Sequence, residues 1–480
     1  MTHVRPFWVA GKATFGDQTF DVHHPWDGRL AATVSVPTAD QVEEAVASAA
    51  SAVPAARRTT AAQRAVALQH VSDRLRERRD EVAELITLEN GKPLKWSRSE
   101  ADRAASTFRW AAEEARRFSG EAMRLDTDPA SAGRYAIVRR FPIGPVLGIA
   151  PFNFPLNLVA HKVAPALAVG APVILKPAPA TPLSSLLLGE LLAETDLPEG
   201  MWAVLPVDNT TSAALVQDPR LPVVSFTGSE SVGWGIRNAV PEKHVTLELG
   251  GNAAAIVLAD YSSDDDLEWA ASRIATFANY QGGQSCVSVQ RVLVDGSLHD
   301  RLVPLVVAKV EVLQTGDPWD DSTDVGPVID ERNAVRIVEW VDRARQAGAQ
   351  VLTGGTREHT TVAPTVLVDV PDDVEISCEE VFGPVLTIAA FSGIDEAIVT
   401  VNDSRFGLQA GVFTHDVQAA FRAHAELEVG GVVVGDVPSF RADQMPYGGV
   451  KRSGVGREGL RAAMDDFTYE RVLVFTGIDL

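Results

Sequence analysis

Between Val146 and Ser231 short apolar runs alternate with helical stretches, and this alternation limits the fold more than any other feature of the chain. The runs Val146–Ala150, Val173–Lys176, Trp202–Pro206 and Val223–Phe226 read as strands. Helices are expected between them, at about Leu156–Gly170, Pro182–Thr195 and Thr210–Gln217, with another from near Ser231. Strands separated by helices pair in parallel, and a parallel sheet needs both of its faces covered. The pattern is that of a doubly wound, dinucleotide-binding domain.

The flanking chain extends the α/β theme. Phe7 to Val36 reads as short strands with turns at Gly11, Gly16 and Asp27-Gly28. Helices are expected from Thr38-Ala39-Asp40, from about Thr60 to Glu89, and from about Ser97 to Phe118. Tyr135–Phe141 alternates like an exposed or edge strand. Later strands are expected at Ala253–Leu258, Val289–Val294, Val385–Phe391 and Gly411–Phe413, with a helix at Leu267–Asn279. The tail Tyr469–Phe475 alternates weakly, as a strand added to a neighbouring subunit would. No tandem repeat or low-complexity linker separates these parts.

At 480 residues the chain is too long for one ordinary core and implies two or three domains. A net charge of −21 disfavours nucleic acid and anionic membranes, which need a cationic surface. Two cysteines are no disulfide framework, so a reducing cytoplasm is the expected setting. Met1–Ala10 lacks an apolar core of signal-peptide length. The most apolar run, Val163–Leu175, is broken by Pro165, Gly170 and Pro172 and reads as a buried helix and strand, not a membrane span. No His/Cys cluster has metal-ligand spacing.

Several residue types stand where chemistry can use them. Cys286 follows Gln281-Gly282-Gly283-Gln284-Ser285 in a loop before a strand. A thiol there can be an activated nucleophile, or simply a small apolar core residue. Gly228 and Ser229 end a strand, with Gly233 in the following helix. Such a turn can cradle phosphate on free N–H groups, or be only a tight strand–helix turn. Glu248 closes an apolar strand. Burial there makes it a better base near neutrality, unless it is an edge carboxylate paired with a cation. Asn153 is held between Pro151 and Pro155, as an oxyanion donor or as the cap of the helix near Leu156. Lys176 ends a buried strand, where cofactor contacts collect, although a surface lysine has the same sequence signature. Glu380 can accept ribose hydroxyls while Phe382 packs against a ring.

Together these stretches resemble the aldehyde dehydrogenase superfamily, of the non-phosphorylating, NAD(P)-dependent kind. The resemblance runs from Trp8 to Arg471 in seven ordered blocks: PFNFP (151–155), KPAPATPLS (176–184), FTGSESVG (226–233), LELGG (247–251), GGQSC (282–286), EEVFGPV (379–385) and PYGGVKRSGVGREG (446–459). It implies that Cys286 attacks the aldehyde as thiolate. Asn153 and the Cys286 backbone N–H would hold the oxyanion of a thiohemiacetal, which gives hydride to nicotinamide. Glu248 would activate the water that hydrolyses the thioester. NAD or NADP would lie along Ala150, Pro151, Phe152, Pro179, Gly228, Gly233 and Leu249. Lys176 would reach the adenosine ribose, Ser229 the pyrophosphate, and Glu380 and Phe382 the nicotinamide ribose.

The implied fold is α/β: a Rossmann-like cofactor domain, an α/β catalytic domain and a small oligomerisation β-ribbon. The expected division is 1–120 with 141–247 for the cofactor, 248–440 for catalysis, 121–140 with 463–480 for oligomerisation, and 441–462 returning to the cofactor domain. A homodimer or homotetramer is expected. Three positions depart from many relatives: Phe152 stands for tryptophan, Pro179 for an acid that binds the adenosine ribose, and Gly435 for asparagine. Losing the acid at 179 removes a barrier to a 2′-phosphate. The substrate tunnel is expected to involve Arg103, Phe108, Arg109, Phe152 and Phe440–Met445. The blocks CVSVQRV and PSFRADQMPYGGVK are similar to those of the branch acting on small polar aldehydes, such as lactaldehyde-like, semialdehyde, phosphorylated or sulfonated ones. Arg103 or Arg441 could then bind an anionic tail, or be an ion pair only. The competing readings are a CoA-acylating dehydrogenase, which often lacks the Glu248 base, and a catalytically silent scaffold on the same fold.

Overall fold

The computed structural model describes residues 4–477. Met1–His3, and Ile478–Leu480 of the expected oligomerisation segment, lie outside the described residues.

The expected alternation builds an eight-stranded sheet in the order Lys12–Thr14, Phe7–Val9, Trp202–Val204, Val173–Lys176, Val146–Ile149, Val223–Thr227, His244–Glu248, Gly454–Val455. The strands from Trp202–Val204 to His244–Glu248 are parallel. Val146–Ile149 and Val173–Lys176 are buried along their whole length, as apolar runs covered on both faces must be. Helices Ala39–Arg58, Ala61–Glu77, Leu94–Arg117 and Asn157–Val169 contribute to the core around this sheet. Capping boxes at Thr38 with Gln41 and Thr60 with Gln63 fix where the first two begin.

Strand succession reverses on either side of Val146–Ile149, so a crevice opens between its C-terminal end and that of Val223–Thr227. A second, seven-stranded sheet runs Gln350–Thr353, Thr365–Val368, Val385–Phe391, Arg291–Asp295, Ala254–Val257, Gln409–Phe413, Gly431–Val434. It is parallel except at Gln350–Thr353. A three-stranded ribbon completes the fold: Glu121–Arg124, Arg134–Pro142 and Thr468–Thr476.

Two expectations need correction. The stretch Thr60–Glu89 is two helices, Ala61–Glu77 and Arg79–Asn90. The chain bends at Arg78 (φ −102°, ψ 23°), whose guanidinium bonds to Glu81 and Glu190. Tyr135–Phe141 belongs to the middle strand of the ribbon, not an edge, because Glu121–Arg124 pairs on one side and the remote Thr468–Thr476 on the other. The tail pairs along nine residues with Arg134–Pro142 of its own chain. Among the described residues no helix is long and apolar enough to cross a membrane.

Candidate active site

The crevice is a cavity of about 820 Å³ whose wall includes Asn153, Glu248 and Cys286. Each arrives on a different element. Asn153 lies in the loop between strand Val146–Ile149 and helix Asn157–Val169. Glu248 is the last residue of its strand. Cys286 follows a tight passage in which Gln281, Gly282 and Gly283 all have positive φ (54°, 63° and 71°).

Asn153 does not cap the helix. The Glu100 carboxylate does, accepting from the backbone N–H groups of Leu156 (3.0 Å) and Asn157 (3.1 Å). Asn153 is instead pinned across the cavity floor. Its Nδ2 donates to the Gln284 carbonyl at 2.9 Å, and its own carbonyl accepts from Gln281 Nε2. One amide proton is left for a second acceptor.

Cys286 is half-buried, with Sγ 3.0 Å from the Tyr447 hydroxyl. Burial pushes the thiol up to about 12, although the Tyr447 hydrogen bond works the other way. Glu248 is 3% exposed and neither carboxylate oxygen has a hydrogen-bond partner. It is no paired edge carboxylate. Burial and the nearby charge of Glu458 push it well above the ordinary carboxyl range. Glu458 is equally buried yet is held low, because Lys162 (3.1 Å) and Arg441 (3.2 Å) pair with it. Two carboxyls driven apart in this way give one group held as a charge and one with a raised affinity for a proton.

The cavity suits a dinucleotide. Lys176 is 4% exposed, so it is no surface lysine, and burial lowers its pKa. Ser229 begins helix Glu230–Ala239 with its hydroxyl uncommitted to the helix, beside free N–H groups. A Cβ on Gly228 would meet the Phe226 ring at 2.6 Å, so only glycine lets the turn lie this close. Glu380 accepts from the Gly251 N–H at 3.1 Å, and burial pushes its carboxyl up to about 7. Phe382 (φ 50°) meets Phe152 edge to face at 5.8 Å. Ala150, Pro151, Pro179 and Leu249 also line the cavity.

Not every expected residue reaches the wall. Gly233 instead gives Leu249 the space it occupies. Phe108 is wholly buried in the core among apolar neighbours, which removes it from the expected tunnel. Arg109 pairs with Glu113 at 2.6 Å. Arg103 pairs with Asp443 at 3.0 Å, and Asp443 lies 3.4 Å from the buried His161 ring. Arg441 is buried, bonds Glu458, and lies over the Tyr447 ring at 3.9 Å, with Nε unpartnered. Gly435 adopts φ 76°, a backbone setting that asparagine also tolerates.

Sequence reasoning passed over Tyr447, Glu458 and Lys162, and the cavity residues Arg332 and Arg336. Tyr447 and Glu458 lie inside the PYGGVKRSGVGREG block, which was the available signal. The two arginines sit in no block and are brought in by helix Glu331–Gln346.

The model of the aldehyde dehydrogenase family matches residues 8–473. A 3-sulfolactaldehyde dehydrogenase of Priestia megaterium is 42% identical over 477 residues, 99% of each chain. Aldehyde dehydrogenase 21 of Physcomitrella patens, solved with its product succinate, superposes with a TM-score of 0.97 at 41% identity, over 100% of this chain and 99% of that one. The NADP-dependent glyceraldehyde-3-phosphate dehydrogenase of Bacillus halodurans, solved with NADP, gives 0.94 at 34% identity, over 99% and 100%. A cavity at the switch point, with a thiol, an amide and a buried carboxyl on its wall, thus sits in a chain that matches along nearly its whole length: the protein belongs to the aldehyde dehydrogenase family and is NAD(P)-dependent.

Proposed function

We propose that this enzyme oxidises a small anionic aldehyde to its carboxylic acid, with Cys286 as nucleophile, Asn153 as oxyanion donor and Glu248 as general base. The support is that all three side chains share one cavity wall. Cys286 as thiolate adds to the carbonyl carbon, and the negative charge moves to oxygen. The free proton of the Asn153 amide and the Cys286 backbone N–H are the donors for that oxygen. NAD(P), when bound, supplies the hydride acceptor. Lys176, Ser229, Glu380 and Phe382 would hold it. Glu248 then takes a proton from the water that opens the thioester, and its raised proton affinity makes it an effective base.

Arg441 is not on the wall of the large cavity, but it is the cation we propose for the anionic tail. Its guanidinium is buried one tyrosine ring away from Sγ and keeps donors beyond the one given to Glu458. The substrate or product in the name of each of the three relatives above carries an anion: sulfonate, carboxylate or phosphate. Matched neutral and anionic aldehydes test the assignment by NADH or NADPH formation. Cys286→Ala should abolish turnover. Arg441→Ala should cost the anionic aldehyde about 100-fold in kcat/KM and the neutral one far less. No preference for the anion in the wild type would sink it. Pro179 leaves no acid against a 2′-phosphate, so both cofactors should serve, within about a thousandfold in kcat/KM.

We propose the division 1–120 with 141–247 and 441–462 for the cofactor, 248–440 for catalysis, and 121–140 with 463–480 for oligomerisation; the two sheets and the ribbon support it. A homodimer or homotetramer is supported by open sheet edges. A cytoplasmic setting is supported by both cysteines being free.

A further inference from the structure

We propose that Tyr447 is a further catalytic residue: its hydroxyl donates a hydrogen bond to Sγ of Cys286 and stabilises the thiolate that attacks the aldehyde. The proposal rests on Cys286 being the nucleophile.

The geometry carries it. The phenol oxygen is 3.0 Å from Sγ, within reach of a hydrogen bond to sulfur. In the resting thiol either group can donate. Once sulfur ionises, only the phenol can. Tyr447 is 4% exposed and packs with Val287, Leu408 and Cys286, so the ring is held rather than free to swing into water. Arg441 lies over the ring, a fixed cation 3.9 Å from its centroid, which polarises the phenol as a donor. Burial holds the phenol well above its usual range, so it keeps its proton while the thiol loses one.

Three charged groups act on Cys286, and their balance with burial does not favour a thiolate. Glu380 and Glu248 oppose it, Arg441 favours it, and burial opposes it most. Tyr447 supplies the direct hydrogen bond that works against these. The thiol proton leaves to water through the cavity, and the sulfur pair forms the C–S bond. The C=O π pair moves to oxygen. Tyr447 keeps its own proton throughout, and its bond to sulfur weakens as the charge departs.

The test is alkylation of Cys286 by iodoacetamide from pH 6 to 10, followed by mass in a Cys378→Ala background, for the parent and for Tyr447→Phe. With the thiol held above this range, the rate should climb about tenfold per pH unit in both. A hydrogen bond to a charged group is worth about tenfold in the ionisation constant, and the less stabilised thiolate regains part of that as nucleophilicity, so Tyr447→Phe should react about threefold more slowly at every pH. Tyr447→His, which restores a donor, should recover part of the rate, and Tyr447→Leu should not. Equal or faster alkylation of Tyr447→Phe, or a histidine variant no faster than the leucine one, overturns the proposal. Circular dichroism and cofactor binding confirm that the variants compared are folded. Turnover that survives Cys286→Ala would instead remove the nucleophile assignment itself, a separate result from an unchanged alkylation rate.

Discussion

Two carboxyls in one buried cluster have opposite proton affinities, and their neighbours explain why. Glu458 touches Lys162 and Arg441, whereas Glu248 touches no donor and feels the charge of Glu458. A base must be ionised to act, so a raised Glu248 places the rising limb of kcat against pH above the ordinary carboxyl range. Glu458→Gln removes the negative neighbour and frees two cations, and both changes lower the proton affinity of Glu248. The limb should move to lower pH, by at least half a unit on the ordinary scale of such interactions, roughly; a limb that stays or moves upward contradicts this. Glu248→Gln should leave a burst of reduced cofactor near one per site, followed by turnover slower by about 100-fold or more. Absence of a burst would show that acylation, not deacylation, had been damaged. The sequence makes Cys286, Asn153 and Glu248 visible because each sits beside glycine or proline in a short block. It hides Tyr447 and Glu458, whose meaning lies in contacts such as Tyr447 with Cys286, 161 residues apart.

Helix Asn157–Val169 shows how an element serves a side chain that is not on it. Its N-terminal N–H groups are capped by Glu100 from helix Leu94–Arg117, and Glu100 also pairs with the fully buried Lys92. Lys92 lies 4.1 Å from the centre of the Phe154 ring, next to Asn153. The cap, the ion pair and the ring thus clamp the loop that carries the amide. Glu100→Gln keeps an acceptor for the helix but strands the Lys92 ammonium. Breaking a buried pair in this way costs about 3–5 kcal/mol. Urea denaturation should show that loss, and Glu100→Gln with Lys92→Met should recover most of it. A double variant no better than the single one would mean that the pair is not what holds the loop. Such a clamp is illegible in sequence, where Lys92 looks like an ordinary loop charge and Glu100 like an ordinary helix charge. The alternation of strands and helices was legible because it is local. The break at Arg78 was not, since it depends on Glu190, 112 residues away.

At the scale of the molecule, two of the open sheet edges carry exposed apolar side chains. In the ribbon, Thr468–Thr476 pairs only with Arg134–Pro142, and Val472, Leu473 and Val474 are 56%, 54% and 49% exposed. In the seven-stranded sheet the edge is Gly431–Val434, with Val434 and Trp269 49% and 47% exposed. A long apolar edge left open in water invites pairing with another chain, and a second copy is the partner always at hand. A net charge of −21 opposes indiscriminate association, so contact should be confined to these apolar edges. One self-complementary edge closes a dimer, whereas two on different sheets allow a dimer of dimers. Val472→Lys with Val474→Lys places two charges on one face of the ribbon edge, and Val434→Lys charges the other edge. In light scattering, each variant should lower the mass, toward multiples of the 51.4 kDa chain smaller than those of the parent. If only one variant does so, the assembly is a dimer built on that edge. If both do so, and differently, it is a tetramer. A parent chain that runs as a monomer would mean that these strands stay open, and the reading of the edges would fall.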